Sequence, residues 1–129
     1  MENLDVEKVI PVILECAKNI RRKLGPGYLE SVYKNAMLIE LHKQQLSFET
    51  EVPIKVYYEG VQVGDFKADI IVEGKLILEL KAVLTLGVAH EVQLVNYLTS
   101  TGIEDGLLIN FGSEKLQYRR KYKTYRPTF

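Results

Sequence analysis

The stretch ADIIVEGKLILELKAV, residues 68–83, decides how the fold is read, because two apolar runs meet at a Glu-Gly pair at 73–74. Aliphatic runs on both sides of such a turn signal predict an antiparallel β-hairpin. Three charged residues, Asp69, Glu79 and Lys81, nevertheless lie inside the apolar runs. The function depends on which face of the hairpin carries them.

The number of residues in the turn sets the register of this hairpin. Side chains alternate between the two faces of a strand, and directly opposed residues share a face. An odd turn places Asp69, Glu79 and Lys81 together on one face, whereas an even turn scatters them among the apolar residues. Because a register slip exchanges the buried and exposed sets, we predict the odd turn. It leaves the other face wholly apolar, with Ala68, Ile70, Val72, Leu76, Leu78 and Leu80.

Two carboxylates on neighbouring strands repel each other unless a cation or a proton shares the site. Lys81 offsets part of this charge, and a divalent ion such as Mg²⁺ or Mn²⁺ would offset the rest. Such an ion polarises a phosphodiester, while a neighbouring lysine orients water or stabilises developing charge. The residues alone leave two interpretations open: a metal site for hydrolysis of a nucleic-acid backbone, or the commoner exposed ion-pair cluster on a half-solvated sheet face.

Helical periodicity precedes the strand region. Apolar residues on one helical face between positions 6 and 20 predict a first helix, with Asp5 as its cap. Pro11 implies either a kink or a later helix start, because it removes one backbone hydrogen bond. A second helix is predicted over about 27–45, and its apolar side comprises Leu29, Val32, Tyr33, Ala36, Met37 and Leu41.

The remaining elements complete an α/β fold. Residues 48–83, broken at two Glu-Gly pairs, predict three antiparallel strands. A third helix is predicted over about 88–100, a buried strand over 106–112 and a more exposed last strand over 117–125. The order predicts a single domain over 1–129, with one mixed central sheet flanked by helices.

Composition limits the classes of partner. The 129 residues are 47% hydrophobic, and 17 basic residues balance 17 acidic ones. Zero net charge argues against a protein that coats nucleic acid by bulk charge. No apolar run approaches the roughly 18 residues of a membrane span, so we expect no membrane partner and a cytoplasmic location. The single cysteine, Cys16, has aliphatic neighbours and is predicted to be a small buried residue.

Positive charge is concentrated in the segment 113–129, which contains six cationic residues and a single acidic residue, Glu114. Tyr118, Tyr122 and Tyr125 are interleaved with them. The segment could hold a phosphate backbone with aromatic support, or it could be an exposed edge strand whose charges discourage aggregation. The cationic residues are Lys115, Arg119, Arg120, Lys121, Lys123 and Arg126.

Asp69 followed by Glu79-Leu80-Lys81 on a hairpin resembles the PD-(D/E)xK nuclease superfamily. More specifically, GYLESVY at 27–33 resembles the GxxExxY family of that superfamily, and AHEVQLVNYL and GLLINFG follow in the order of that family. The resemblance implies a restriction-endonuclease-like core of a helix, three antiparallel strands, a helix and a strand. One departure is Ala68, which stands where the name of the superfamily has proline.

The resemblance also implies roles for individual residues. Asp69 and Glu79 resemble the metal-binding acids, the backbone carbonyl of Leu80 an additional ligand, and Lys81 the catalytic lysine. Glu30 resembles the auxiliary acid that reaches the same metal centre. Its plainer interpretation is a helix-start acid that the macrodipole favours.

Three residues of the third predicted helix complete the candidate site. Gln93 resembles the helical glutamine that borders the site in this superfamily. Tyr97, one turn later, is interpreted as a core contact. His90, one turn earlier, is a candidate for phosphate contact or proton transfer, although a histidine near a helix start is more often structural.

The leading hypothesis is a Mg²⁺- or Mn²⁺-dependent nuclease that hydrolyses phosphodiester bonds, with DNA favoured over RNA. The alternative is a catalytically silent module with the nuclease fold that binds nucleic acid or a protein partner. A homodimer stays open, because no residue pattern fixes a symmetric interface. The sequence also leaves open whether cleavage is internal or from an end.

Overall fold

The computed structural model describes residues 5–123 and contains three helices and five strands there. The predicted order of elements is confirmed. Tyr125 and Arg126 of the predicted basic segment lie outside the described residues. In chain order the elements are α1 (Val6–Leu24), α2 (Glu30–Lys43), β1 (Phe48–Tyr58), β2 (Val61–Val72), β3 (Leu76–Lys81), α3 (Val88–Thr101), β4 (Asp105–Asn110) and β5 (Gln117–Tyr122).

The strands form one sheet in the order β1-β2-β3-β4-β5. Strands β3 and β4 pair in parallel, and every other neighbouring pair is antiparallel. The crossover between the parallel strands contains α3, as a parallel connection requires. This is the predicted α/β fold with a mixed central sheet.

Helical layers cover both faces of the sheet, and each covers its own apolar cluster. Helices α1 and α2 pack on one face, over β3, β4 and the turn end of β2. Helix α3 packs on the other face, over Ile54, Ala68, Ile71, Ile77 and Leu108. Strands β3 and β4 are therefore buried on both sides, which explains their nearly continuous apolar sequences.

The register of the β2–β3 hairpin is the predicted odd one. Val72 pairs with Leu76 across a three-residue turn, and Ile70 pairs with Leu78. Glu73 and Gly74 both have positive φ, at 54° and 65°. Ile70, Val72, Leu76, Leu78 and Leu80 accordingly face α1 and α2.

Ala68 is an exception to the predicted apolar face. It is fully buried, but it packs in the cluster beneath α3. The pairing partners of Ala68 and Ile70 are Val52 and Thr50, and Glu51 between these two has φ 50°. At this point the β1–β2 hairpin exchanges the face that it buries, which simple alternation along β2 does not predict.

The first two helices differ in detail from the predicted ones. Helix α1 begins at Val6 and is capped by Asp5 as predicted, so the alternative of a later start at Pro11 does not apply. It continues through Pro11, whose side chain is exposed, so the carbonyl left unpaired lies on the solvent side of the helix.

Helix α2 begins at Glu30, later than predicted, because Gly27 has φ 108°, which a helix does not allow. Leu29 consequently precedes the helix and is 77% exposed, so its predicted place in the core was wrong.

Two predictions from the sequence concern the burial of Cys16 and segments that could span a membrane. Cys16 is buried among the side chains of α1 and α2, and burial raises the pKa of its thiol. This agrees with a structural cysteine. In the part of the chain from 5 to 123, none of the helices combines the length and the apolar character needed to cross a bilayer.

Candidate active site

Two carboxylates replace the backbone ladder where β2 and β3 separate. The paired residues run from the turn to Ile70 and Leu78. Beyond them, the Asp69 N–H donates to Glu79 Oε2 at 2.7 Å, and the Leu80 N–H donates to Asp69 Oδ2 at 3.0 Å. Each acid is thereby fixed to the backbone of the opposite strand. The structure brings together the two acids that register places on one face.

The electrostatic environment of this pair is unfavourable for two negative charges. Glu79 is only 4% exposed. Burial, followed by the charge of Asp69, raises its pKa to about 8. Burial also raises the pKa of Asp69, against the opposing hydrogen bond from Leu80. The nearby lysines Lys81 and Lys34 do not offset this burial, and that is the condition that favours a bound metal ion or a shared proton.

Lys81 ends β3 beside these acids and is half-buried. Its charge acts to lower the pKa of Glu79, Asp69 and Glu30. In the described part of the chain it forms no salt bridge, so its ammonium group is available to a ligand. Asp69, Glu79 and Lys81 together are called the acid cluster below.

The loop before α2 is held by Tyr33, which explains the residue types in GYLESVY. The Tyr33 hydroxyl donates to the Gly25 carbonyl at 2.6 Å and accepts from the Tyr28 N–H at 3.2 Å. The Tyr33 ring is fully buried and stacks on Phe111, with ring centroids 4.7 Å apart. Because this anchor lies one turn into α2, it fixes the position of Glu30 as the first helical residue.

Glu30 lies within electrostatic reach of the acid cluster, although its side chain is exposed. Partial desolvation raises its pKa, Lys81 opposes this change, and Asp69 adds to it. Its place in the first turn of α2 also suits an acid on helix-dipole grounds. The position of Glu30 is therefore compatible with both interpretations, an auxiliary acid of the metal centre and a helix-start acid.

The α3 residues border the acid cluster on the sheet face that α3 covers, opposite to the face beneath α1 and α2. Tyr97 is 7% exposed and packs in the α3 cluster, as expected of a core contact. Burial raises its pKa, and the charges of Glu79 and Asp69 add to the effect. Gln93 lies half-buried one turn earlier and makes no hydrogen bond to these acids within residues 5–123.

His90 has a structural role at the start of α3. Its Nδ1 accepts a hydrogen bond from the Gly87 N–H at 3.1 Å. This satisfies one of the backbone donors that a helix start leaves unpaired. The contact favours the structural interpretation of this histidine over proton transfer.

A lysine–glutamate pair beside the site was missed by the sequence reasoning. Lys34 on α2 forms a salt bridge with Glu51, and the Lys34 side chain is only 13% exposed. Its charge acts to lower the pKa of both Asp69 and Glu30. The available signal was the four-residue spacing of Glu30 and Lys34, which puts both on one helix face. Nothing local identifies Glu51.

Asn110 is a second residue that was missed, and it fixes the chain just after Lys81. It is fully buried at the end of β4, opposite Lys81. Its Oδ1 accepts from the Val83 N–H at 2.9 Å, and its Nδ2 donates to the Val83 carbonyl at 2.8 Å. The signal was a polar residue inside the apolar run GLLINFG.

The donor chemistry of the acid cluster fits a hard divalent ion, with a limited set of side-chain ligands. Asp69, Glu79 and the Leu80 carbonyl supply oxygen, which Mg²⁺ and Mn²⁺ prefer. Each of the two carboxylates has one oxygen without a hydrogen bond from the described residues. Within 5–123, no group of three or more His, Cys, Asp or Glu is arranged to hold a metal, so Glu30 does not join the pair in such a group.

Much of the basic segment is engaged in ion pairs within the chain. Arg120 donates to Glu7 at 2.7 and 2.6 Å and to Asp105 at 2.9 Å. Lys121 forms a salt bridge with Glu91 at 3.0 Å. Arg120 and Lys121 lie on β5, at the edge of the sheet. The described part of the segment thus matches the edge-strand interpretation. Arg120, Glu7 and Asp105 together are called the arginine cluster below.

Comparisons with known proteins agree with this fold. A family model described as the PD-(D/E)XK nuclease superfamily matches residues 7–121. The crystal structure of SSO0001 is similar to the chain, with a TM-score of 0.55 and 16% sequence identity. The match covers 86% of this chain but only 64% of that one. At this identity the likeness concerns the fold alone. No curated protein has significant similarity to the chain.

Proposed function

The chain belongs to the PD-(D/E)XK nuclease superfamily, and from this premise we propose that it is a divalent-metal-dependent nuclease. Its proposed reaction is hydrolysis of phosphodiester bonds in nucleic acid, with DNA preferred over RNA. The observation that carries this proposal is the reciprocal bonding of Asp69 and Glu79 across β2 and β3, with a Glu79 pKa of about 8. Such crowding of acids is costly to a fold and is found where a ligand relieves it.

The proposed roles follow from the positions of the groups. Asp69, Glu79 and the Leu80 carbonyl would hold Mg²⁺ or Mn²⁺, with Glu30 as an auxiliary acid. When bound, the ion would polarise the phosphodiester and supply the charge that the acids lack. Lys81 would donate to a phosphate oxygen and stabilise the negative charge that develops there. Gln93 would border the substrate from α3.

The direct test compares cleavage by wild type, Asp69→Ala and Lys81→Ala with Mg²⁺ or Mn²⁺. Single-stranded, duplex and branched DNA, and RNA of the same sequence, serve as substrates. We expect both variants to lose at least about 100-fold in rate, because removal of one charge-stabilising group costs about 10²–10³ in kcat. Lys43→Ala is the matched control, since Lys43 forms an exposed ion pair with Glu40 elsewhere on α2.

The same experiment can refute the proposed activity. Equal background cleavage in wild type, both site variants and the Lys43 control would show that this site does not catalyse the reaction. Circular dichroism of each variant separates lost catalysis from lost folding. Measurement with and without a chelator separates metal-dependent from metal-independent cleavage.

A second candidate is a catalytically silent module that binds nucleic acid or a protein partner. The observation that favours it is that Glu30 does not join Asp69 and Glu79 in a three-ligand group within the described residues. Binding of DNA across a range of salt concentrations tests it, because a grip on phosphates loses affinity steeply as salt rises. Absence of binding at low salt would leave only the protein-partner version.

Finer assignments belong to the same proposal. We also propose the GxxExxY branch of the superfamily, and the positive φ of Gly27 and the hydrogen bond from Tyr33 to Gly25 support this assignment. The cytoplasm is the proposed location, consistent with the unpaired thiol of Cys16. A homodimer stays a proposal that sedimentation would test.

A further inference from the structure

A groove of about 580 Å³ lies between α3 and the outer part of the β1–β2 hairpin. Its volume falls in the range of about 300–1,000 Å³ that is typical of small-ligand sites. None of the residues that line it carries a charge. The residues that line it include Val56, Phe66, Val92, Gln93, Asn96 and Tyr97.

Tyr97 links the groove to the surroundings of the acid cluster, because it lines the groove and belongs to the same apolar cluster as Ala68, the neighbour of Asp69. The charges of Glu79 and Asp69 both act on the Tyr97 hydroxyl. Gln93, the residue expected to border the substrate, lines the same groove. A polymer bound with one phosphate at the acid cluster therefore has a neighbouring unit within reach of this groove.

The Phe66 ring is held in place at the groove while still open to a ligand. It is 44% exposed, and its centroid lies 5.9 Å from that of Tyr97 at an interplanar angle of 44°. The ring lies over Gly64, where an added Cβ would be 2.9 Å from Phe66 Cε2. Gly64 thus provides the room in which the ring lies across the strand. A fixed and exposed aromatic surface is suited to stacking with a flat ligand.

The chemistry of the lining selects the part of a nucleic acid that fits. Phosphate is disfavoured, because no lining residue carries a positive charge and the negative charges of the two acids of the acid cluster act on Tyr97 in the groove wall. A neutral heterocycle has a flat face for Phe66 and polar edges for the side-chain amides of Gln93 and Asn96. Such amides supply both donors and acceptors, so they tolerate different bases. A paired base cannot enter, since its faces and edges are already occupied in the duplex.

Resting on the nuclease activity proposed above, we propose that this groove binds the base of an unpaired nucleotide next to the scissile phosphate, with Phe66 as its stacking surface. The preferred substrate is then a single strand or a single-stranded segment of a larger structure. A duplex without unpaired bases is bound only through its backbone.

The first test measures binding without metal, so that cleavage plays no part. Fluorescence anisotropy compares a single-stranded oligonucleotide with the duplex of the same sequence. We expect Phe66→Ala to weaken single-strand binding about 5- to 100-fold, as loss of one base–aromatic stack does, and duplex binding less than about twofold. Phe66→Leu keeps most of the apolar volume but has no aromatic face, so it should also weaken single-strand binding.

Tyr122→Ala is the matched control. Tyr122 is 47% exposed, close to the value for Phe66, but it lines a different groove, which contains Glu91, Arg120 and Lys121. We expect it to leave single-strand affinity within about twofold of wild type. An equal loss in Tyr122→Ala and Phe66→Ala, or no loss in either Phe66 variant, would overturn the proposal.

The second test uses the nuclease reaction itself. Single abasic positions are placed along a single strand, and cleavage of each phosphate is measured. We expect a loss of about 5- to 100-fold for the phosphate next to the abasic position in wild type, and no such loss in Phe66→Ala. Cleavage that tolerates abasic positions everywhere would overturn this inference while the proposed activity stands.

The two proposals fail in different ways. A chain that cleaves nothing, but binds single strands through Phe66, loses the proposed activity and keeps the base site. The same groove could instead be covered by a second copy of the chain. Concentration-dependent dimerisation that Phe66→Ala abolishes, with unchanged oligonucleotide binding, would assign the groove to that interface and overturn the base site.

Discussion

The acid cluster and the arginine cluster each place two carboxylates near one cation, but only in the arginine cluster do the carboxylates bond directly to that cation. In the arginine cluster, Glu7 and Asp105 accept hydrogen bonds from Arg120, and the hydrogen bond from Arg120 lowers the pKa of Glu7. In the acid cluster, Asp69 and Glu79 accept from backbone N–H groups, and both pKa values are raised.

This difference separates a structural charge cluster from a candidate site. A charge that finds its counter-charge within the chain can be explained by the fold alone. A pair of like charges kept close together, without a counter-charge at bonding distance, is explained better by a ligand that arrives later. Each cluster should therefore respond in its own way when one carboxylate is neutralised.

The largest expected effect comes from matched substitutions, Asp69→Asn and Asp105→Asn. Asp69→Asn should lower metal-dependent cleavage at least about 100-fold, because it removes a ligand and a negative charge from the site. Asp105→Asn should leave the rate per folded molecule unchanged. Stability should respond in the opposite way: Asp69→Asn costs little, whereas Asp105→Asn costs about 1–2 kcal/mol, since Asp105 and Arg120 are largely buried partners.

Single-turnover cleavage and denaturant unfolding on the same preparations check this pair. Loss of activity in both variants, or loss of stability in both, would mean that the two clusters do not differ in role. The expectation for Asp69→Asn relies on its amide oxygen still accepting from the Leu80 N–H. A structure of the variant verifies that contact.

The next effect is a pH dependence of stability that belongs to the acid cluster. Glu79 has a pKa of about 8 in the fold, against an ordinary value of 4.5. Between these values the unfolded chain has released a proton that the folded chain keeps. The free energy of unfolding should therefore fall as pH rises, by up to about 1.4 kcal/mol per pH unit, with no contribution from this group below the lower value.

Urea unfolding of the metal-free protein from pH 5 to pH 9 measures this slope. Glu79→Gln has no carboxyl group at this position, so it should lose most of the decrease. Added Mn²⁺ should stabilise wild type more at pH 8 than at pH 6, because the metal competes with the proton. A wild-type slope identical to that of Glu79→Gln would refute the proposed proton on Glu79.

A smaller effect is expected when the arginine cluster is broken at its centre. Arg120→Ala should lower the free energy of unfolding by about 1–2 kcal/mol, because it leaves Asp105 without its cation. The loss is limited because the buried Arg120 Nε–H donates to no acceptor among the described residues, so its removal also removes an unsatisfied donor. Arg120→Lys should recover part of the loss, since it keeps the charge but not the two-pronged contact with Glu7. Urea unfolding at pH 7 compares the three proteins, and full stability in Arg120→Ala would contradict the structural role of the cluster.

The part of the candidate site that could be predicted from the sequence is the part set by the alternation of side chains between the two faces of a strand. The turn at 73–75 and the positions of Asp69 and Glu79 follow from one requirement, that the apolar residues of two adjacent strands share a face. A one-residue slip would instead place Glu79 and Lys81 on the same face as Ile70 and Val72 and separate them from Asp69, so the apolar pattern favoured one register. The elements of the fold were predictable for the same reason.

The parts that could not be predicted depend on single backbone conformations or on distant partners. A left-handed Glu51 moved Ala68 to the other face, and a φ of 108° at Gly27 delayed α2 and exposed Leu29. No periodicity in the sequence encodes either conformation. The arginine cluster joins Arg120 to Glu7, which are 113 residues apart in sequence. Patterns within one element carry no information about such pairs.

The smallest expected effect concerns the Lys34–Glu51 pair. This pair shares one property with the arginine cluster and another with the acid cluster. Lys34 has its counter-charge in Glu51, yet it also acts to lower the pKa of Asp69 and Glu30. Lys34→Met keeps most of the length of the side chain and removes the charge, so both pKa values should rise. Carboxyl NMR titration of the metal-free protein measures this shift. Lys43→Met removes a lysine paired with Glu40 on the same helix and should leave both values unchanged. An equal shift in the two variants would reduce the role of Lys34 to the net charge of α2, whereas a shift confined to Lys34→Met would make this lysine part of the electrostatics of the acid cluster.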